Sequence, residues 1–494
     1  MEKQPSVKIK SVSGGFWLGI RFGGTQLVRF VISVILARLL EPELYTILGI
    51  ITIFTSLAEK FVTHCFAMAL IQRKIADEDD FASVFWIDLA VSIGIVALLW
   101  LIAPWIADFY GYAEIVPGIR LLSLVVIVDS LGAVLNARLS RELAFKKMSL
   151  ASIAAMIVSG GVGVTLAFCG FGLWALLWQQ LVSELTMCIA ELIMTRWLPK
   201  RRLRFDRLRE MFRYGWKILA GNFVSHLYGD LTGLVLGKAF PGDTLGFYNK
   251  GRQMPNIVGE NLSAVANTTM FPTYAANQDD GERLRDLVRK TVRIDAFLVF
   301  PIMAGLALVA EPLTGLLLTD KWLPAVPYMR VACFVWAVYP LDGTLLEGVC
   351  ARGRSDLHLK VMILRRGLGL ALLCAAAFLL KTPMAIAWSV AVTALFSLVQ
   401  SMLVARPFFG YPLRAQLWDM LPPLLLSLAM AAAVLPLGLL PLPRLWLLAL
   451  QVLVGAGVYV GLSMLFRLEV FRYFCGAVGE FVQKWKRERK DVDA

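Results

Sequence analysis

The sequence predicts an all-α polytopic membrane protein. It comprises about fourteen transmembrane helices, in two pseudo-symmetric six-helix lobes plus two C-terminal helices, with both termini cytoplasmic. Three observations predict this. The chain of 494 residues is 58% hydrophobic, where soluble domains run roughly 45–50%, and its mean hydropathy is +0.69. Apolar runs of about 20 residues recur from end to end, each long enough as a helix to cross about 30 Å of hydrocarbon. The basic residues collect on alternate loops.

The apolar runs and their polar breaks place the candidate spans at 14–37, 45–70, 81–106, 115–137, 149–169, 172–195, 215–237, 247–271, 291–317, 325–349, 361–380, 383–405, 416–438 and 445–466. The start "MEKQPSVKIKSVSGG" is polar and basic, and no small-residue cleavage site follows the first run. It reads as a retained span rather than a signal peptide. The eighth span, within "LGFYNKGRQMPNIVGENLSAVANTTMFP", is unusually polar.

With the N-terminus inside, the cytoplasmic segments hold nearly all the loop cations, including the run "RWLPKRRLRFDRLREMFR". The outer loops hold only Arg38, Lys238, Lys321, Lys381 and Arg444. This alternation fits the positive-inside rule. The net charge of +13 is therefore topological, and nucleic-acid binding is excluded as its explanation. The organisation expected is a lobe at 1–195, a basic cytoplasmic linker at 196–214, a second lobe at 215–405, appended spans at 406–466 and a basic tail at 467–494. Linker and tail can also lie against anionic membrane lipids.

Two segments resemble each other at an offset of 200. "ILARLLEPELYTILGI" aligns with "VLGKAFPGDTLGFYNK", so that Arg38 faces Lys238, Pro42 faces Gly242, Glu43 faces Asp243 and Thr46 faces Gly246. Each is an apolar span ending in a cation, then a short Pro/Gly–acid turn, then a Tyr-containing start. Weak internal similarity of this kind marks transporters built from two halves, here parallel in topology.

Charges inside the spans narrow the function. A cation at the bilayer centre costs about 2.5–3.5 kcal/mol even on a lenient scale. Arg120, Lys217, Arg293, Arg330, Arg365 and Arg366 lie near span ends, where they can snorkel. Arg21, Arg29, Lys60, Lys250 and Arg252 lie deeper. Trp17, Arg21, Thr25 and Arg29 share one face of the first span. Asn249, Arg252, Asn256, Glu260, Ser263 and Asn267 form a polar stripe on the eighth. Asn222, His226 and Asp230 recur at steps of four on the seventh, and Glu59, Asp88 and Asp129 lie in the second, third and fourth. Such faces must point into the bundle or into water. Static pairs such as Glu59 or Asp129 with an arginine account for single residues. The whole set points to a hydrated, cationic cavity. Arginine and lysine there suit phosphate, and asparagine and serine suit sugar hydroxyls. A polar cavity beside lipid suits an amphiphile.

Other chemistries leave no mark. The seven cysteines are scattered, mostly in apolar runs, and read as small buried hydrophobes. No metal or disulfide spacing, no HExxH and no nucleophile with its base is present. "GLVLGK" at 233–238 is a chance P-loop fragment, one residue short and lacking Ser/Thr. No cofactor, metal or catalytic residue is expected, and the class is transporter rather than enzyme.

The "ILARLLEPELYTILGI" turn, the "LGFYNKGRQMPNIVGENLSAVANTTMFPTYA" segment and the fourteen-span plan resemble the Wzx-type bacterial polysaccharide flippases, in particular the colanic-acid and succinoglycan exporter branch. These belong with MATE multidrug extruders and the lipid II flippase in one superfamily, the MOP (multidrug/oligosaccharidyl-lipid/polysaccharide) transporters. The resemblance implies an inner-membrane protein that translocates undecaprenyl-pyrophosphate-linked oligosaccharide repeat units, for exopolysaccharide or O-antigen, by ion-coupled alternating access. It implies substrate contacts at Arg21, Arg29, Lys60, Lys250 and Arg252, beside the polar positions Asn222, Asn249 and Asn256. Glu59, Asp88, Asp129, Asp230 and Glu260 are the candidates for coupling to protons or sodium. A polysaccharide polymerase and a chain-length regulator are the implied partners. The family usually has Gly where the first turn has Thr46, which implies a stiffer turn. The alternatives are a MATE-like small-molecule exporter, a lipid II-type flippase, and a membrane glycan polymerase or ligase. The last needs an external catalytic loop that these short outer loops do not supply.

Overall fold

The computed structural model describes residues 26, 28–72, 77–142, 144–199, 204, 229–352 and 354–472. Among them the elements are helices. In chain order they are α1 (28–39), α2 (Pro42–Gln72), α3 (Glu78–Tyr110), α4 (Ile115–Leu122), α5 (Leu124–Arg141), α6 (Phe145–Phe168), α7 (Leu173–Thr195) and α8 (229–239), followed by α9 (Thr244–Ala276), α10 (Gly281–Leu308), α11 (Ala310–Leu317), α12 (Val326–Ala351), α13 (Ser355–Ala375), α14 (Pro383–Phe409), α15 (Leu413–Val434) and α16 (Arg444–Leu465). Short 3-10 turns lead into α12 and follow α15.

Eleven of these helical stretches are long and apolar enough to cross a membrane, and they coincide with eleven of the expected spans. The other three are the first, seventh and eighth. The described parts of the first and seventh, α1 and α8, are helical, and the eighth is the continuous helix α9. Two boundaries differ. Span four is broken at Ser123, whose hydroxyl bonds back to the Arg120 carbonyl and accepts a hydrogen bond from the Trp100 indole at 2.9 Å. Span nine starts early, because the charged segment Gly281–Lys290 is already helical and is capped by Asp280, whose carboxylate accepts from the Arg283 N–H. It ends at Leu308, and Pro312 sits in the short α11 that follows.

The chain divides into two compact units, Met1–Asn249 and Lys250–Ala494. In the first, α6 lies along α7, and α5 packs on α2, α3 and α7. Contact is close where side chains are small: a Cβ on Gly163 would stand 2.9 Å from Gln179 Cβ. α8 and the turn after it belong to this unit for a physical reason. The Tyr110 hydroxyl donates to the Leu234 carbonyl, Gly242 N–H donates to the Tyr112 hydroxyl at 2.7 Å, and Lys238 reaches both the carbonyl and the ring of Phe109.

The two copies of the repeated turn pack on each other. Gly246 N–H donates to Thr46 Oγ1 at 2.8 Å. A Cβ on Gly246 would stand 2.3 Å from the Pro42 carbonyl oxygen, and one on Gly49 would stand 2.7 Å from Asn249 Nδ2. Residue 46 thus meets 246 and residue 49 meets 249, the pairing of a local two-fold axis. The N–H groups of a first helical turn have no intrahelical acceptor. Thr46 supplies one to α9, so its departure from Gly is not merely a stiffer turn.

In the second unit α12 lies between α10 and α14, and α15 packs on α10. Arg365 is no snorkelling cation. It is 8% exposed in the middle of α13, and donates two bonds to Asp342 at 2.7 and 2.9 Å, with Gln400 and Ser401 completing its shell. Arg293 is also committed, with Arg289, to the buried Asp419 of α15. Tyr411 donates to the same carboxylate at 2.7 Å, and its own ionisation is pushed up by burial and by that bond. These contacts and the bond from the Tyr459 hydroxyl to the Phe297 carbonyl fasten α15 and α16 to α10. On the lipid side, Leu101, Trp105, Phe378 and Leu453 are more than two-thirds exposed. Cys169 and Cys374 are exposed there too, so the reading of cysteines as buried holds only for part of them.

Two outcomes are expected. Arg365→Ala strands the buried Asp342 carboxylate and lowers stability by about 3–5 kcal/mol, read as an earlier unfolding midpoint in detergent. Replacing Asp342 and Arg365 together by Leu and Met recovers most of the loss. Gly246→Ala forces α2 and α9 apart and lowers the same midpoint, while Thr46→Ser keeps it and Thr46→Val does not.

Candidate functional site

Each unit carries its own polar centre. In the first, the carboxylates come from three helices. Glu59 on α2 lies within electrostatic reach of Glu184 on α7 and of Lys60. Asp129 on α5 is within reach of Glu59, Glu184 and Glu191, and Arg29 on α1 is within reach of Glu184. Glu191 is 1% exposed and accepts from Asn136 Nδ2 at 2.9 Å. Four acids on α2, α5 and α7 therefore share one region, with Lys60 within electrostatic reach of Glu59 and Arg29 within reach of Glu184.

Sequence reasoning found Glu59, Lys60, Asp129 and Arg29, and missed Glu184 and Glu191. A signal was present. Glu184, Cys188 and Glu191 stand at steps of four and three, one face of an apolar helix. Asp88 on α3 is buried at 1% exposure, with one carboxylate oxygen lacking a hydrogen-bond partner among the described residues. It stands one turn before Ser92, whose hydroxyl accepts from Ser130. Asp230 is half-buried on α8. Arg21 and Asn222 lie outside the described residues. Arg29 is exposed on α1.

In the second unit the centre is α9. Its apolar positions Met254, Val258 and Leu262, at steps of four, pack on Met303 of α10 and on Met329 and Cys333 of α12. Two glycines bring α9 close to α12. A Cβ on Gly251 would stand 2.6 Å from the Ala325 carbonyl oxygen, and one on Gly259 would stand 2.1 Å from the Trp336 ring. With that face buried, the opposite one is left open: Glu260 is exposed, and Arg252, Asn256 and Ser263 are partly so. Asn249, at the end of the first unit, is exposed too. Lys250 is only 9% exposed and stands 5.9 Å from the centre of the Trp322 ring. Asn256 accepts from Trp336 Nε1 at 2.6 Å, so one of its polar atoms is committed. Trp322 and Trp336 went unnoticed in the sequence, where an aromatic residue in an apolar span carries no distinguishing pattern.

Among the described residues, no three His, Cys, Asp or Glu side chains are grouped to hold a metal. The carboxylates of the first unit are groups that can exchange protons. The open face of α9 can donate to anionic and hydroxyl oxygens.

Known proteins share this architecture. The chain superposes on the lipid II flippase MurJ in its inward closed conformation with a TM-score of 0.75, covering 91% of this chain and 98% of that one at 16% identity. It superposes on an inward-facing multidrug resistance MATE transporter with a TM-score of 0.59, at 81% and 94% coverage and 14% identity. The fold is thus the multi-pass helical architecture that MurJ and the MATE transporter share. The model of the polysaccharide biosynthesis protein family matches residues 35–327, and the chain belongs to that family. It is 24% identical over 358 residues to the teichuronic acid biosynthesis protein TuaB of Bacillus subtilis strain 168, 72% of this chain and 74% of that protein. It is 23% identical over 366 residues to the lipopolysaccharide biosynthesis protein WzxC of Escherichia coli K12, with 73% and 74% covered. To the succinoglycan biosynthesis transport protein ExoT of Rhizobium meliloti strain 1021 it is 24% identical, with 66% of each chain covered. The protein is a multi-pass protein of the bacterial inner membrane.

Asn136→Ala removes the donor that faces the buried Glu191. A loss of about 1–3 kcal/mol is expected, measurable as a lower thermal midpoint, with Asn136→Asp at least as damaging because it adds a carboxylate to the cluster.

Proposed function

We propose that this protein flips an undecaprenyl-pyrophosphate-linked oligosaccharide repeat unit across the inner membrane for exopolysaccharide or O-antigen synthesis. It does so by ion-coupled alternating access through a cationic cavity that α9 helps to line. The open polar face of α9 carries this reading: its apolar face is packed against α10 and α12, while Arg252, Asn256 and Glu260 are left accessible. Arg252 donates to the pyrophosphate, and Lys250, buried against Trp322 two residues earlier, adds positive potential. Asn249 and Asn256 serve the sugar hydroxyls. Arg29 and Lys60, with Arg21 and Asn222, are the contacts proposed from the first half.

The coupling ion is proposed to bind among Glu59 and Asp129, together with Glu184 and Glu191, which share their region. Asp88, Asp230 and Glu260 are further candidates. The names of the relatives support the cargo class: one is named for teichuronic acid, one for lipopolysaccharide and one for succinoglycan transport. A polymerase and a chain-length regulator are proposed to receive the product.

The acidic centre of the first unit gives one observation in favour of a second reading, a MATE-like exporter of small organic cations. The two readings separate cleanly. Reconstituted protein is expected to move a fluorescent prenyl-pyrophosphate glycan across vesicles, and Arg252→Ala to slow this at least about ten-fold through loss of a charge-assisted contact. A deletion strain is expected to lose surface polysaccharide while keeping its drug susceptibility. Unchanged glycan export with raised sensitivity to cationic drugs sinks the flippase reading in favour of the exporter.

A further inference from the structure

Near the middle of α12, Tyr339 is 54% exposed although it lies within an apolar span. Tyrosine and tryptophan favour the two membrane interfaces, and a phenol turned to lipid at mid-helix leaves its hydroxyl without a partner. Tyr339 does not stand alone. Its ring centre is 5.2 Å from that of Trp336, one turn earlier on the same face. Trp336 is seated on α9, flat against Gly259 and held by its bond to Asn256. The helices run side by side in one direction: Gly251 faces Ala325 and Met329, and Gly259 faces Trp336. Tyr339 is therefore about level with residues 260–263 of α9, the helix that carries the open polar stripe.

Two further observations point to a ligand there. The Ser263 hydroxyl is buried and has no hydrogen-bond partner among the described residues. Pro340 lies inside α12 and has no N–H to return to the Trp336 carbonyl. An aromatic face, an idle hydroxyl, a freed carbonyl and the exposed Glu260 thus meet in one small region.

We propose that Trp336 and Tyr339 form a platform for a pyranose ring of the cargo. One sugar face of C–H groups stacks on the exposed Tyr339 ring, which the Trp336 ring flanks at a tilt of 57°, and its rim of hydroxyls reaches Ser263, Glu260 and the Trp336 carbonyl. This deepens the reading of the protein as a lipid-linked glycan flippase and rests on it. Arg252 stands about ten residues before the platform level on the same helix, about 15 Å away, so with the pyrophosphate at Arg252 the platform takes a pyranose two or three sugars further along the glycan.

The test compares two probes on the purified full-length protein by titration calorimetry: citronellyl diphosphate, and the same diphosphate carrying a trisaccharide of glucose or of galactose, long enough to reach from Arg252 to Tyr339. The wild type is expected to bind a glycosylated probe about five-fold more tightly than the bare one, the size of one ring-stacking contact. Tyr339→Ala is expected to abolish that margin and leave the bare diphosphate unaffected, while Tyr339→Phe keeps most of it. Because Tyr339 is exposed, its replacement spares the packed core, and Trp336→Ala provides a second loss. A margin that survives Tyr339→Ala overturns the platform. Equal weakening of both probes also overturns it, because the pair then touches the prenyl chain. If the wild type binds the bare diphosphate but gains nothing from either sugar, the platform falls and the anion site stands. Failure of all probes on the wild type removes the flippase reading and the platform with it.

Discussion

The bilayer permits a helix like α9 only if its two faces have different neighbours. Lys250, Arg252, Asn256 and Glu260 on one helix cannot all face hydrocarbon. The helix is held because Met254, Val258 and Leu262 enter the core of α10 and α12, and because Gly251 and Gly259 let α12 approach to backbone distance. That packing fixes the rotation of α9. Once the rotation is fixed, the polar stripe is aimed, Trp336 acquires its seat and Lys250 is brought to Trp322. The polar chemistry of the second unit follows from an apolar contact on the far side of the same helix.

The two units treat intramembrane charge differently. In the second, Arg365 is paired with Asp342, and Arg289 and Arg293 share Asp419, at hydrogen-bond distance, while the buried Asp295 accepts from Thr344. They resemble rivets: Asp342–Arg365 joins α12 to α13 and α14, and Asp419 joins α10 to α15. In the first, carboxylates outnumber cations in the shared interior region, and acids lie within electrostatic reach of other acids. Like charges gathered in a low-dielectric interior favour uptake of a compensating cation.

Much of the fold was legible in the sequence. Apolar runs mark spans directly, so eleven of the helices lie where hydropathy puts them. What hydropathy cannot see is the polar beginning of a helix, such as Gly281–Lys290, or a break made by one side chain, such as Ser123. The polar stripe of α9 was legible because its period is that of a helix. Arg365 was misjudged because proximity to a span end says nothing of which way a side chain turns. Glu184 and Glu191 were passed over although their spacing sets them on one face of an apolar helix. Trp336 was beyond reach, since its role depends on the glycine it meets 77 positions away in α9.

The contact between Thr46 and Gly246 bears on how such a chain arises. A residue on a two-fold axis faces its own copy, so two identical halves must place the same side chain on both sides. Two threonines there would drive a Cβ into the Pro42 carbonyl, and two glycines would leave the N–H of Gly246 without the hydroxyl it now has. The observed pair works only because the copies differ. A symmetric ancestor, whether a dimer or a freshly duplicated gene, could not have made this bond. Position 46 is a place where joining two halves in one polypeptide allowed each to specialise against the other.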